Sequence, residues 1–453
     1  MRQPTVVESA REMNPPLAPP EDEKSPPATL LAPLTEPLTL RAALTSFLVM
    51  ASYYVLRPVR DELSVEYRED TADWWLWVAG VAIVAMPLYS LLVSRSDRSM
   101  VARRVFRAIV VIVLGFAWFS WKEGNEDGFG RGLAGSFYIA ASLYPMFVVS
   151  ILWATLSDCF DGIGGKTRVG YVFAAGTLGG VLGSSVVSLT SSMAFGEQTG
   201  LAPEWLLVVA AFLLFHAAFA LPSNPEVFHR KGQQQDKVSS RFSTGFKRLI
   251  RSPYLLGVAG YLLIFTMGSG FLYFLQRDLI YDAYPERADR RSVLANMDLT
   301  VQILTVAGQA LVTGALLKKI GTARVLLIMP IVTVVGFSIL AASPVFAVFA
   351  GMYIFRRASN YAFAKPAREL LFTVVDSEER YLTKPTLDVA VYRGGDVVAS
   401  QTYEAIQEAT ESGVRGMSLF ALPFAVAALP VALWLGREQE KRARDQADAA
   451  STD

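Results

Sequence analysis

Cysteine is almost missing from this 453-residue chain. The single thiol, Cys159, excludes an intrachain disulfide framework and offers no cysteine cluster for a metal, so neither a metal nor a cofactor is expected. Net charge is missing too, since 42 lysines and arginines face 41 aspartates and glutamates. A balance of +1 names no partner by itself, because the charges are sorted by loop, and no nucleic-acid partner is expected. The first 38 residues lack any apolar stretch. They are rich in proline and acidic side chains, carry no signal-peptide core, and read as a disordered cytosolic tail.

Apolar residues are what the chain has in excess: 52% are hydrophobic and 18% charged, with mean hydropathy +0.35. Windows of about 20 residues with almost no charge recur along most of the length, the signature of a polytopic α-helical membrane protein. Twelve spans are expected, near 39–59, 73–94, 103–121, 135–157, 169–190, 203–221, 253–276, 293–317, 322–342, 345–364, 386–405 and 416–435. They divide the chain into a tail (1–38), a six-helix bundle (39–221), a cytosolic linker (222–252), a second six-helix bundle (253–435) and a C-terminal tail (436–453).

Basic residues cluster at alternate connections. Arg95, Arg98, Arg103 and Arg104 follow span 2, Arg230 to Arg251 fill the linker, Lys318, Lys319 and Arg324 follow span 8, and Arg437, Lys441, Arg442 and Arg444 follow span 12. The positive-inside rule therefore places both termini and the linker in the cytosol. Trp74, Trp75 and Trp77 then fit an outer interfacial belt. The connection between spans 7 and 8 is discordant, for it carries Arg277, Arg287, Arg290 and Arg291 among Asp278, Asp282, Glu286 and Asp289.

Polar groups inside the spans are few and concentrated. Span 1 ends in Arg57, Arg60 and Asp61, which helical offsets of three and four place on one face. Each charge costs roughly 2.5–3.5 kcal/mol at the centre of a bilayer, so such groups face a cavity or a partner. Two arginines beside one carboxylate leave surplus positive charge for an anionic substrate. Tyr53 and Tyr54 precede them; Tyr144, Trp153, Ser157 and Asp158 lie in span 4. Asp298, Gln302 and Gln309 share a sector of span 8, span 10 carries Arg356, Arg357, Asn360 and Tyr361, and span 11 carries Asp388, Tyr392, Arg393 and Asp396.

Plainer readings stand beside these. Arg57 and Arg60 can snorkel to the outer interface and close a salt bridge with Asp61 or Glu62, with Pro58 ending or kinking the span. Asp298 reads as a helix-start residue or as a coupling-ion site, and His216 as a hydrogen-bonded core residue or a proton relay. The ladder Gly170, Ala174, Ala175, Gly176, Gly179, Gly180, Gly183 and Ser184 in span 5 reads as close helix packing. Gly162-Ile-Gly-Gly-Lys-Thr167 imitates the end of a phosphate-binding loop. Phe160 stands where that pattern needs its first glycine and no strand precedes it, so nucleotide hydrolysis is not expected and the chain is read as a non-enzyme.

Two resemblances add to this reading. Ser94-Arg-Ser-Asp-Arg98 after span 2 and Gly314 to Arg324 after span 8 resemble degenerate copies of the major facilitator loop motif. That fold puts the substrate site between the halves near mid-membrane, where Arg57, Arg60, Asp158 and Arg357 would converge. More specifically, Tyr53-Tyr-Val-Leu-Arg-Pro-Val-Arg-Asp61, Leu152-Trp153 with Ser157-Asp158, Arg168 to Gly176, Asn360 to Thr373 and Tyr392-Arg-Gly-Gly-Asp396 resemble the bacterial and plastid ATP/ADP translocase family, over about residues 39–435.

The resemblance implies nucleotide exchange by alternating access. It maps that family's two transport-linked lysines onto Arg60 and Arg368, and an acidic or amide position onto Asp158. Lysine to arginine keeps the charge and adds bidentate phosphate geometry. The chain looks closest to a branch from free-living bacteria, which places it in the inner membrane and leaves the substrate's identity open. On this reading Arg57, Arg60, Arg357 and Arg368 meet phosphates, Tyr53, Tyr54, Tyr361 or Trp153 stacks a base, Asn360 and Arg393 line the same site, and Asp61, Asp158, Asp388 and Asp396 pair the arginines when the carrier is empty. A monomer is expected. The competing expectations are a proton-coupled facilitator using Asp298 or His216, and a non-transporting membrane protein that binds partners or lipid. Ala367–Val375, opened by Pro366, reads as a short cytosolic helix at the inner mouth.

Overall fold

The computed structural model describes residues 36–94, 98–123, 129–160, 165–191, 202–222, 238–309, 314–376, 379, 383–384, 387–410 and 412–452. The described residues are helical almost throughout. In chain order the helices are α1 (Pro37–Glu66), α2 (Thr71–Ser94), α3 (Arg98–Glu123), α4 (Arg131–Tyr144), α5 (Ser150–Cys159), α6 (Gly165–Ser191) and α7 (Pro203–Ala220). They continue as α8 (Val238–Arg251), α9 (Pro253–Ala283), α10 (Arg287–Gly308), α11 (Gly314–Ala342), α12 (Phe346–Ser359), α13 (Lys365–Leu370), α14 (Tyr392–Thr410) and α15 (Val414–Thr452). Seven helical segments are, by length and composition, able to cross a membrane among the described residues.

Proline marks several helix starts, where its missing N–H is no loss: Pro37, Pro203 and Pro253 open α1, α7 and α9, and Ser252 caps α9 by accepting the Leu255 N–H. Inside a helix it acts differently. A π turn over Pro145–Val149 joins α4 to α5, and another over Asn360–Ala364 joins α12 to α13 just before Pro366. The expected separate helix at 367–375 is therefore continuous with α12 through that turn, ends at Leu370 and passes into tight turns. Pro58 does not end α1, which runs on to Glu66. The tail expected after 435 continues α15: Arg442 lies over the Tyr254 ring and Glu440 accepts the Ala323 N–H. That bond needs the left-handed backbone at Gly321 (φ +78°), which bends α11 toward it.

α1 packs along α6, and the small-residue ladder explains how closely. A β-carbon on Gly179 would stand 2.1 Å from the Phe47 carbonyl oxygen, and one on Gly183 2.4 Å from that of Ala51. Phe106, Phe137, Ile151 and Leu207 centre the core of the first seven helices; Phe271, Phe274, Phe337 and Phe349 centre that of the later ones. The two groups meet where α6 and α1 pack on α10, α2 on α14, and α1 on α9. Trp77, Val111, Phe212 and Phe355 turn outward, as a lipid-facing surface requires. Of the expected tryptophan belt only Trp77 is exposed; Trp74 is buried and Trp75 points between the two groups.

Candidate functional site

The last three turns of α1 carry the charges into the seam between the groups. Arg57, Asp61 and Glu62 are all buried, and Asp61 is only 3% exposed. Arg57 Nε stands 3.3 Å from Asp61 Oδ2, and Arg60 donates to Asp61 Oδ1 from Nε at 2.9 Å. Arg57 also reaches across the seam, with Nη1 3.2 Å from Oδ1 of Asp298 on α10 and Nη2 donating to the Tyr353 hydroxyl at 3.3 Å. Arg357 on α12 donates to the same Asp298 oxygen, and at 2.9 Å to Tyr353. Three guanidinium groups thus share two carboxylates, leaving a surplus of one positive charge in this cluster among the described residues.

Aromatic side chains wall this cluster. Arg60 lies over the Tyr138 ring, and Arg357 lies 5.1 and 5.9 Å from the ring centres of Tyr353 and Tyr361. A chain of hydrogen bonds runs from Trp75 Nε1 to the Tyr138 hydroxyl (2.6 Å), on to Tyr273 (2.9 Å), then Ser64 (2.9 Å) and the Asp61 carbonyl (2.7 Å). It crosses the seam twice, so it fixes α1 against α9 as well as orienting Asp61.

Further charges bridge the groups where α1 finishes and α10 begins. Arg287 Nε meets Glu62 at 2.6 Å, Arg290 meets Glu66 at 2.5 Å, and Arg277 donates to the Arg68 carbonyl at 2.5 Å and to Glu404 at 2.9 Å. These pairings account for three of the four arginines of the discordant loop: Arg277, Arg287 and Arg290 answer acids on α14 and α1.

The sequence candidates divide accordingly. Arg57, Arg60, Asp61, Asp298 and Arg357 come together. Tyr54 joins their edge, buried where Gly180 of α6 meets Gln302 of α10. Asn360 sits in the π turn with its Oδ1 buried and unpartnered. Arg368 lies lower in the second group, over the Phe265 ring. Arg393 pairs with Asp396 at 2.9 Å, and Trp153 stacks on Phe173 of α6. The His216 ring is exposed on α7 with Nδ1 2.8 Å from the Phe212 carbonyl oxygen. The side chains of Asp158 and Asp388 lie outside the described residues. Tyr353, Tyr273 and Tyr138 escaped sequence reading, because a lone tyrosine carries no pattern; Glu62, expected as a salt-bridge partner for Arg57 or Arg60, pairs with Arg287 instead.

No protein-family profile matches the chain. A curated relative, ADP,ATP carrier protein 2 of Chlamydia pneumoniae, is 22% identical over an alignment 482 positions long that covers 89% of this chain and 88% of its own. The resemblance to the ATP/ADP translocases holds. Among solved structures, the nucleoside transporter NupG superposes with a TM-score of 0.59 at 14% identity, over 88% of this chain and 98% of its own. The xylose transporter XylE from E. coli, in an inward-open conformation, gives 0.58 at 13%, over 88% and 94%. The fold is therefore major-facilitator-like, and the chain is a multi-pass membrane transporter.

Proposed function

We propose that this transporter exchanges nucleotides, or closely related phosphorylated anions, across the bacterial inner membrane by alternating access. In this reading twelve spans form two six-helix halves, residues 39–221 and 253–435, with both termini in the cytosol and the Glu62–Arg287 end facing outward. The observation that carries it is the sharing of Asp298 by Arg57 of one half and Arg357 of the other.

Charge explains why such a device exchanges. A surplus positive charge enclosed between two halves is costly in low dielectric, and an anion relieves it. Phosphate oxygens accept the same forked donors that Asp298 and Asp61 occupy, so cargo competes with the carboxylates for Arg57, Arg60 and Arg357. Reorientation without cargo is disfavoured, and transport in one direction needs a return load. Tyr54, Tyr353 and Tyr361 offer ring faces beside these arginines for a base. The curated relative's name, an ADP,ATP carrier, supports the same cargo class.

Proteoliposomes loaded with ADP test the reading. Uptake of labelled ATP should require internal ADP and ignore an imposed pH gradient. Uptake abolished by a protonophore overturns exchange in favour of proton coupling, and absence of uptake for every phosphorylated anion overturns the assignment. A thermal-shift screen against nucleotides, sugar phosphates and nucleosides then ranks the cargo.

A further inference from the structure

Arg356 and Arg357 are neighbours in sequence but serve different places. Arg357 turns to the seam, whereas Arg356, one residue earlier and about 100° around the helix, turns into the second half. There it is 4% exposed and donates to Thr333 Oγ1 at 3.0 Å, Ser269 Oγ at 3.1 Å and the Phe265 carbonyl at 3.2 Å. All three acceptors are neutral. Its guanidinium carbon lies 5.1 Å from the centre of the Phe265 ring, and that of Arg368 lies 4.5 Å from the same ring.

Arg368 is 9% exposed and its Nη1 is buried with no hydrogen-bond partner. Among the described residues neither arginine has an ion pair, in contrast to every arginine of the central cluster. Two buried cations around one ring repel each other, and each lacks the counter-charge that burial demands. Arg356 also borders a cleft lined by Tyr261, Thr333, Phe424 and Ala428.

We infer that Arg356 and Arg368, gathered around Phe265, form a second anion subsite that takes a phosphate group. It rests on the proposed function only for the identity of its cargo. The unused Nη1 of Arg368 and the forked donors of Arg356 supply the charge-assisted bonds, and Phe265 holds both guanidinium planes in place. Because α13 follows α12 away from the central cluster, the subsite is a staging point: an anion released by Arg357 meets Arg356 and Arg368 before leaving. Arg356 then acts on cargo affinity at equilibrium, not on packing alone.

The test uses the full chain purified in detergent, with inorganic tripolyphosphate as the probe in calorimetric titrations at several salt concentrations. Arg356→Gln should weaken binding about tenfold or more, the loss of one charge-assisted contact, and flatten the dependence on salt. Arg356→Lys, which keeps the charge but loses the fork, should restore most of the affinity. Folded Arg356→Gln protein that binds as the wild type does, with the same salt dependence, overturns the subsite. If that variant does not fold, the same comparison between Arg368→Gln and wild type decides in the same way. Wild-type protein that binds tripolyphosphate through Arg356 yet exchanges no nucleotide in proteoliposomes would remove the transport reading and leave the subsite standing.

Discussion

Arg57 and Arg357 converge on a single oxygen, Oδ1 of Asp298, from opposite sides of the seam. Two guanidinium groups that would otherwise repel are held together by one carboxylate. In the proposed exchange Asp298 holds the place of the anionic cargo, and its removal has a defined sign. Asp298→Asn should lower the thermal stability of the empty carrier, by about 3 kcal/mol or more for a broken buried ion network. It should also bind ADP more tightly while exchanging it more slowly. Thermal unfolding with and without ADP, together with exchange rates in proteoliposomes, checks both halves of the statement.

Arg60 has no bond across the seam among the contacts described, and it leans on Asp61 and the Tyr138 ring. Its charge is the more available one. Arg60→Ala and Arg368→Ala should each abolish exchange while leaving inserted, folded protein, and Arg60→Lys should keep part of the activity. Wild-type rates in both alanine variants would sink the phosphate clamp.

Glu62 is fully buried and its counter-ion is Arg287. Glu62→Gln removes the buried carboxylate from this pair and weakens the closure at this end. In a Cys159→Ser background, a cysteine at Ser188, which bonds Asn296 across the seam at 2.6 Å, reports the opening. A membrane-impermeant maleimide added from outside should label it several-fold faster in the Glu62→Gln variant; equal labelling would show that the pair does not hold the halves.

Gly179 and Gly170 make a paired test of the ladder. Gly179→Ala should destabilise by about 1–3 kcal/mol through overpacking against the Phe47 carbonyl, while Gly170→Ala meets nothing within 4 Å and should be neutral. Thermal unfolding of the two variants separates packing from propensity.

The helices were legible because a bilayer forces apolar windows, and the ladder because only small residues let α1 and α6 approach to backbone distance. Arg57, Arg60, Asp61 and Arg357 stood out as charges in apolar runs. Asp298 stood out equally, yet its service to two arginines depends on how α10 lies against α1, which no local spacing encodes. Trp75 looked like an interfacial anchor because its neighbours Trp74 and Trp77 share its composition but not its direction. The 277–291 connection looked discordant for a similar reason: the acids of Arg287 and Arg290 sit over 200 residues earlier, on α1, and Arg277 finds Glu404 on α14. The length of α15 was hidden by its charged end, which finds partners in Tyr254 and Ala323.

Two of the π turns among the described residues, Pro145–Val149 and Asn360–Ala364, each join two helices into one rod, α4 to α5 and α12 to α13. A π turn holds one residue beyond the regular count, and sliding that residue along the helix swings everything past it by about 100° with the rod left unbroken. In mechanical terms each of these two rods is a shaft with a slip coupling. The coupling at Asn360–Ala364 directly follows the helix that carries Arg356 and Arg357, so a shift of one residue there re-aims both charges together.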